Sequence, residues 1–182
     1  MKELSLNILD ITENSVKAKA TLTEILIEEN ENTLTITIKD DGIGMSEETL
    51  RAVTNPFYTT RTTRSVGLGI PLFIQSAEQT GGYVNITSRE RDKNSTGYGT
   101  TVVAHFFKNH VDFTPLGDVI STVVTLIQGH PDTDFLFVHR TVSGEVSLDT
   151  RELREVLVDI PLNSYEVITW IRDNLTEQYN LV

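Results

Sequence analysis

Three polar side chains near the start of the chain, Asp10, Asn14 and Lys17, follow helical spacing. Residues three or four apart share one face of a helix, so a carboxylate, a carboxamide and an ammonium line up. A neutral amide oxygen is a suitable Mg²⁺ ligand beside phosphate oxygens. An ammonium can meet a phosphate, and a carboxylate can accept the proton of an attacking water or hydroxyl. The trio is therefore a candidate magnesium and triphosphate site, and a solvated face of an amphipathic helix is the alternative interpretation.

A second group, Asp40-Asp41-Gly42-Ile43-Gly44-Met45, directly follows a run of alternating β-branched residues. The glycines permit a tight turn and a close approach of the backbone to a ligand. An acid at the end of a strand can accept a hydrogen bond from an exocyclic amine such as that of adenine. An ordinary Asp-Gly turn is the alternative interpretation.

A third group lies in residues 54–66, which lack any hydrophobic period, and in the glycines that follow them. A glycine-rich segment that opens a helix presents amides and the positive end of the helix dipole to phosphate. The spacing is neither that of a P-loop nor that of a dinucleotide-binding fingerprint. The candidate residues are Phe57, Thr59, Thr60, Arg61, Gly67, Leu68 and Gly69.

A fourth element, Gly99-Thr100, stands at the start of a strand. Its glycine lets the backbone approach a ligand, and its threonine offers a hydroxyl. An ordinary hairpin turn is the alternative interpretation.

The elements that must position these groups can be read from hydrophobic periodicity and turn residues. In the first part of the chain the pattern predicts a helix over about 3–19, a hairpin of Thr21–Glu28 and Thr33–Lys39, a short helix from Ser46 to Val53, a helix over Gly67–Thr80, and strands at 83–89 and 100–107. In the second part it predicts a helix over Leu116–Gln128, a hairpin of Phe135–Arg140 and Glu145–Leu148, and helices over Thr150–Val158 and Ser164–Asn174.

The order of the four groups resembles that of the GHKL (Bergerat-fold) superfamily, which includes gyrase-type ATPases, histidine kinases and MutL proteins. Asp10–Lys17 resembles its N box, Asp40–Met45 its G1 box, residues 55–60 its F box, residues 67–70 its G2 box and Gly99-Thr100 its G3 element. The resemblance covers about residues 3–107. It implies an α+β, two-layer sandwich: a mixed, mostly antiparallel sheet covered by helices, with a small C-terminal α+β extension.

The resemblance also implies roles for single residues. Asp40 corresponds to the adenine-binding aspartate, Asn14 to the magnesium ligand, Lys17 to a phosphate-contacting lysine and Thr100 to a threonine that supports the adenine subsite. Gly67 and Gly69 correspond to lid glycines near the phosphates. The other implied ATP-binding positions are Gly42, Gly44, Met45, Phe57, Thr59, Thr60, Arg61 and Leu68.

Two positions depart from the family pattern. Asp10 stands where hydrolysing members carry a glutamate that acts as general base, and its side chain is one methylene shorter. A misplacement of about 1 Å can reduce a rate on the order of a hundredfold, so efficient hydrolysis is not expected. Ser65 replaces the usual first glycine of the G2 box, and the lid after Arg61 is short.

Composition limits the partners. The net charge is −11, so nucleic acid is not an expected partner and ATP must be held by local chemistry. Cysteine is absent, and no apolar run reaches the roughly 20 residues of a membrane span. Without a recognisable signal peptide, a cytoplasmic protein is expected. We expect an ATP-binding domain at 1–109 and a small α+β domain of undefined role at 110–182.

Three functions fit these observations. The first is a Mg-ATP-binding regulatory protein in signalling, which phosphorylates a partner protein in trans, as anti-sigma-factor kinases do, because no histidine precedes the N box. The second is a slow ATPase with Asp10 as base, and the third a non-enzymatic scaffold with a degenerate pocket. A protein partner or a homodimer is expected. In the C-terminal region, Val156, Ile160 and Trp170 are expected in the core and His139 in solvent; an exposed Trp170 that anchors a partner is the alternative.

Overall fold

The fold is described from a computed structural model over residues 3–54, 69–91 and 97–182. The elements, in chain order, are α1 (Leu4–Lys17), β1 (Leu22–Glu29), β2 (Thr33–Asp40), α2 (Glu47–Thr54), α3 (Gly69–Glu78), β3 (Tyr83–Arg89), β4 (Gly99–Phe107), α4 (Val119–Gly129), β5 (Asp134–Arg140), β6 (Glu145–Asp149), α5 (Thr150–Leu157) and α6 (Tyr165–Tyr179). The predicted α+β class is confirmed, with helices packed on a mixed, mostly antiparallel sheet.

The sheet has six strands in the order β3-β4-β2-β1-β5-β6. All neighbouring pairs are antiparallel except β1 and β5, which run parallel and place Ile25 beside Phe137. On the other side of β1, Ile25 pairs with Ile38 of β2. The C-terminal hairpin therefore extends the sheet formed by the N-terminal strands.

Alternation of side chains explains which face of the sheet is buried. In β2, Leu34, Ile36, Ile38 and Asp40 all point into the core, and the residues between them are more exposed. Successive side chains of a strand point to opposite faces, so this period of two buries one face and exposes the other. Asp40 is thus a polar member of an otherwise apolar inward row.

The first helix fills that face. Leu4, Ile8, Ile11 and Ser15 are buried at helical spacing. The helix packs between α3 and α4 and lies against β1 and β2. Because the same face carries Ser15 beside Ile11, a hydroxyl reaches the inward row of β2.

The predicted helix over Leu116–Gln128 begins later, at Val119. Gly117 has a φ of +80°, which takes the backbone out of a helical path. The Asp118 carboxylate then accepts a hydrogen bond from the Ser121 amide at 2.8 Å and caps the helix. The last helix, in turn, runs past the predicted end at Asn174 to Tyr179.

Both regions of the chain contribute to one core cluster, which contains Ile25 and Phe73 from the first and Val123, Phe137 and Ile171 from the second. A division at residue 109 stays a prediction about how the chain is organised. None of the described helices combines the length and the apolar character that crossing a bilayer requires.

Two expectations for the C-terminal region are wrong. Trp170, Val156 and Ile160 are exposed, because no described element covers the outer side of α5 and α6. His139 is buried, since it continues the inward row of Phe135 and Phe137 on β5.

Candidate functional site

A pocket of about 340 Å³ opens between α1 and the strands β2 and β4. The loop that follows β2 and the helices α2 and α3 close its remaining sides. The lining is mostly apolar, with a few polar side chains at one end. It consists of Ile11, Asn14, Ser15, Lys17, Ala18, Ile38, Asp40, Gly44, Met45, Thr49, Val53, Ile70, Thr100 and Val102.

Asp40 is the buried charged group of this pocket, with only 8% of its surface exposed. Its Oδ1 accepts hydrogen bonds from the amides of Gly42 at 2.9 Å and Thr100 at 3.3 Å. Its Oδ2 accepts one from the Ser15 hydroxyl at 2.8 Å. A carboxylate has about four accepting positions, so the oriented group retains capacity for one more donor from a ligand.

Asp41, the next residue, has a structural role. Its carboxylate accepts hydrogen bonds from the amides of Thr21 at 2.7 Å and Leu22 at 2.9 Å and from the Thr21 hydroxyl. Burial raises the pKa of Asp41, but these hydrogen bonds outweigh burial and leave the pKa below its ordinary value. Asp41 therefore ties the end of β2 to the start of β1 and does not line the pocket.

Of the predicted trio Asp10, Asn14 and Lys17, only two residues line the pocket. Asn14 and Lys17 line the pocket, and Lys17 makes no ion pair with any residue in the described ranges. Asp10 is exposed and lies outside the lining, one turn away along α1. A Cβ added at Gly69 would lie 3.0 Å from the Asp10 Cβ, so Asp10 packs against the start of α3.

The loop after β2 depends on Gly44, which has a φ of +70°. A Cβ at this position would lie 1.9 Å from the carbonyl oxygen of Arg89, so no other residue fits without a backbone shift. The next amide, that of Met45, donates to the Ser88 hydroxyl at 2.8 Å. Ser88 also exchanges a hydrogen bond with the Thr100 hydroxyl at 2.8 Å. The loop is thereby held against the ends of β3 and β4.

The remaining predicted residues fall in two sets. Gly42 lies beside the pocket, where its amide donates to Asp40 and an added Cβ would lie 2.8 Å from the Ala18 carbonyl oxygen. Gly69 begins α3 and is buried. The rest lie outside the described residues: Phe57, Thr59, Thr60, Arg61, Gly67 and Leu68.

Sequence reasoning missed the supporting residues. Ser15 was readable, because it continues the buried row of Ile8 and Ile11 on α1. The apolar walls, such as Ile38 and Val102, were predicted only as parts of strands. Ser88 carried no local signal, since its role arises from the pairing of β3 with β4 opposite Thr100.

Magnesium is implied by the resemblance, and the donor set can be tested for fit. Across the three described ranges, no three His, Asp or Glu side chains cluster as metal ligands. Asn14 offers one neutral oxygen in the pocket lining. That suits Mg²⁺, which keeps several waters and binds substrate phosphates with few protein ligands.

Comparison with known families identifies the class of protein. The family model described as histidine kinase-, DNA gyrase B- and HSP90-like ATPase matches residues 2–126, which is more than half of the chain. The chain belongs to this family and contains an ATP-binding domain of its type.

Curated relatives include three kinases of Bacillus subtilis (strain 168). Sensor histidine kinase YvrG is 30% identical over 101 residues, which are 52% of this chain and 16% of the relative. Sporulation kinase E is 40% identical over 55 residues, 30% of this chain and 7% of the relative. Sporulation kinase A is 28% identical over 88 residues, 48% of this chain and 14% of the relative. The chain thus spans at most about a sixth of these relatives.

Solved structures share the fold. The N-terminal domain of a DNA repair protein matches with a TM-score of 0.57 and 15% identity, covering 82% of this chain and 52% of that one. The Aquifex aeolicus MutL ATPase domain complexed with ADP matches with a TM-score of 0.54 and 18% identity, covering 87% of this chain and 70% of that one. Both likenesses extend beyond the 125 residues of the family match and include C-terminal elements.

Proposed function

We propose that the chain is a Mg-ATP-binding regulatory protein whose nucleotide lies in the pocket beside Asp40. One observation carries the proposal: a buried carboxylate, oriented by three donors, faces open space with largely apolar walls. Such a carboxylate can accept a hydrogen bond from the adenine amine, while the walls cover the faces of the ring. A volume of about 340 Å³ is at the small end of ligand pockets, as expected where the phosphates extend outward.

The phosphate end of the proposed site lies at the C-terminal half of α1. Lys17 would supply a cation in a chain whose net charge is −11, and Asn14 would supply an oxygen ligand to a magnesium ion bound with the phosphates. Gly67, Gly69 and Arg61 belong to the proposed site on the strength of the family resemblance. Phe57, Thr59, Thr60 and Leu68 belong to it on the same basis.

Phosphoryl transfer to another protein is the proposed activity, because three relatives that match part of this chain are named as kinases. A slow ATPase is the second candidate. It requires Asp10 as base, and Asp10 lies by Gly69 outside the pocket lining, so a change in the start of α3 would have to bring it closer. Open space beside Asp40 supports nucleotide binding over a scaffold with a degenerate pocket.

Isothermal titration with Mg-ATP tests the binding site. We expect a dissociation constant in about the micromolar range for the wild type, and at least a tenfold loss, about 1.4 kcal/mol, for Asp40→Asn. An asparagine amide would turn a donor toward either the two backbone amides or the ligand amine. Asp41→Asn is the matched control: it removes a neighbouring carboxylate outside the pocket, so affinity should stay within about twofold while thermal stability falls.

No heat of binding by the wild type, or equal affinity of the wild type and Asp40→Asn, would reject the proposed site. Turnover is tested separately with ATP labelled at the γ-phosphate. Label on a second protein from the native host, lost in Asp40→Asn, supports the kinase. Magnesium-dependent phosphate release that Asp10→Asn abolishes without weakening binding supports the ATPase.

A further inference from the structure

A second concave surface, the α5–α6 groove, lies near the β6 edge of the sheet, away from the nucleotide pocket. Its volume is about 570 Å³, and its lining is apolar apart from one carboxylate. The lining residues are Leu153, Val156, Leu157, Ile160, Glu166, Val167 and Trp170. Val156 is 81% exposed and Trp170 is 51% exposed, although both are large apolar side chains. A contiguous exposed apolar surface of this kind marks an interaction site more often than single exposed residues do.

The local fold keeps the groove open. Helix α5 has only eight residues and ends at Leu157, and the next residue, Val158, has a φ of +53°. The chain then turns so that Leu162 is buried and Ile160 remains outside. Leu153, Val156 and Leu157 share one face of α5; Leu153 and Leu157 pack partly against the core, whereas Val156 remains exposed.

Acidic residues outnumber basic ones in the C-terminal region that carries the groove. Residues 110–182 contain twelve Asp or Glu, four Arg and no Lys. Three of the arginines are already paired: Arg140 with Glu145, Arg151 with Asp149 and Arg154 with Asp134. The fourth, Arg172, bonds to Ser121 and lies in the field of Asp118.

Carboxylates of α5 and α6 therefore remain uncompensated on this surface. Glu152, Glu155, Asp159, Glu166 and Asp173 make no ion pair with any residue of the described part of the chain. A second cavity shares Leu153 and Trp170 with the groove, and its lining includes Glu152 beside Glu145 and Asp149, whose charges are paired with Arg140 and Arg151. The groove thus joins an apolar floor to an acidic flank.

This charge pattern selects among possible occupants. A second copy of the chain would bring the same acidic flank against itself in a two-fold contact, and like charges at an interface are destabilising. Anionic membranes and nucleic acids are repelled for the same reason. An amphipathic helix with apolar residues at helical spacing and Lys or Arg at its sides matches both the floor and the flank.

We propose that the α5–α6 groove docks a basic amphipathic helix of a partner protein. The apolar face of that helix would lie on Val156, Ile160 and Trp170, and its cations would face the free carboxylates. The acidic field would also steer the basic segment toward the groove. This inference does not depend on nucleotide binding, so its test is performed without ATP.

Trp170 is the only tryptophan of the chain, so its fluorescence reports on the groove alone. Two designed helical peptides of about 14 residues, roughly four turns, serve as probes. Both carry Leu at i, i+3, i+4 and i+7; one has Lys and the other Glu at the remaining positions. We expect a blue shift with the Lys peptide, binding at least tenfold weaker for the Glu peptide, and loss of affinity as salt rises.

Variants localise the binding. Val156→Asp and Ile160→Asp alter exposed side chains, so folding should be retained, which circular dichroism checks. Each variant should weaken the binding of the Lys peptide at least tenfold. Val142→Asp, at a 74% exposed valine in the β5–β6 turn, is the matched control. Its affinity for the Lys peptide should stay within about twofold of that of the wild type.

Three results would overturn the proposal. The first is no binding of the Lys peptide, and the second is equal binding of both peptides or of Val142→Asp and Val156→Asp. The third is self-association in sedimentation velocity that Val156→Asp abolishes, which would assign the groove to a second copy. If the Lys peptide does not bind but Mg-ATP does, only the groove proposal is rejected. If Mg-ATP does not bind but the Lys peptide does, only the nucleotide site is rejected.

Discussion

The nucleotide pocket and the α5–α6 groove depart from ordinary burial in opposite directions. In the pocket a charged residue, Asp40, is buried at 8% exposure, whereas in the groove Trp170 is 51% exposed. Buried polar groups and exposed apolar patches are the informative exceptions to the rule that apolar residues lie inside. The comparison teaches that one apolar core can carry two sites, one recognised by its hydrogen bonds and the other by its uncovered surface.

The two sites also differ in what keeps their shape. The pocket is held by backbone groups and short polar contacts, among them Gly44, Asp41 and Ser88. The groove is held by the ends of two helices, with Leu162 and Val167 as buried anchors. We therefore expect the pocket to respond sharply to single-atom changes, and the groove to tolerate substitution of its exposed residues.

The largest predicted effect tests whether the two regions are separate at all. Phe137 is fully buried on β5, beside Ile25 of β1. Phe137→Ala should lower the free energy of unfolding by about 3–5 kcal/mol, because it leaves a cavity in the shared core. Urea denaturation followed by circular dichroism and by Trp170 fluorescence should give one coincident transition for the wild type and for the variant.

Phe107→Ala is the control, because Phe107 is an exposed phenylalanine on β4. It should change the free energy of unfolding by about 1 kcal/mol or less. Two resolved transitions in the wild type, with only one of them shifted by Phe137→Ala, would show two independent domains and break the comparison.

The second prediction addresses the pocket loop. Gly44 and Gly97 both have positive φ, +70° and +80°, but a Cβ at Gly44 meets the Arg89 carbonyl at 1.9 Å whereas one at Gly97 meets nothing within 4 Å. Gly97→Ala should lower the free energy of unfolding by about 1 kcal/mol, the effect of positive φ alone. Gly44→Ala should lower it by about 2–3 kcal/mol and weaken Mg-ATP binding, since the backbone must also shift. Equal effects would show that the loop is loosely held.

Much of the pocket was readable before its geometry was known. Hydrophobic periods of two and 3.6 residues, together with the turn residues, predict the N-terminal hairpin, helix α1 and the acidic residue at the end of β2. The position of Asp10 did not follow. Helical spacing predicts that Asp10 and Asn14 share a face, but four residues separate them by about 6 Å along the axis, and only Asn14 lies at the level of the pocket.

In the groove, the sequence pattern did not predict which apolar residues are exposed. Val156, Ile160 and Trp170 have the composition of a core, and the sequence pattern cannot show whether another element covers them. His139 differs, because the alternation of Phe135 and Phe137 already indicated an inward position. The alternation of strand positions, and not the polarity of the imidazole, determines that His139 is buried.

The third prediction concerns His139, near the end of the strand pair that joins the two regions. Its ring bonds to the Tyr179 hydroxyl at 2.8 Å and to Glu29 at 3.2 Å, and Lys108 lies beyond at 2.6 Å from the same carboxylate. Burial lowers the pKa of His139, Glu29 only partly offsets this, and Lys108 adds to the lowering. Because the folded pKa lies below the unfolded value of about 6.5, unfolded chains bind more protons below that pH.

Stability should therefore fall as the pH decreases below about 6.5, by at most about 1.4 kcal/mol per pH unit for one proton. His139→Gln should reduce that slope in urea titrations between pH 7 and pH 5. An identical slope in His139→Gln would place the acid sensitivity on other groups.

The smallest predicted effect lies at the turn below the groove and has the opposite sign. Val158 has a φ of +53° and a ψ of −86°, which a β-branched residue rarely adopts, and its side chain is exposed. Val158→Gly should raise the free energy of unfolding by up to about 1 kcal/mol, since relief of backbone strain exceeds the added entropy of the unfolded glycine. Val142→Gly, at an exposed valine without positive φ, should lower it slightly. If both variants lose stability, the turn is unstrained, and the groove must be kept open by Leu162 and Val167 alone.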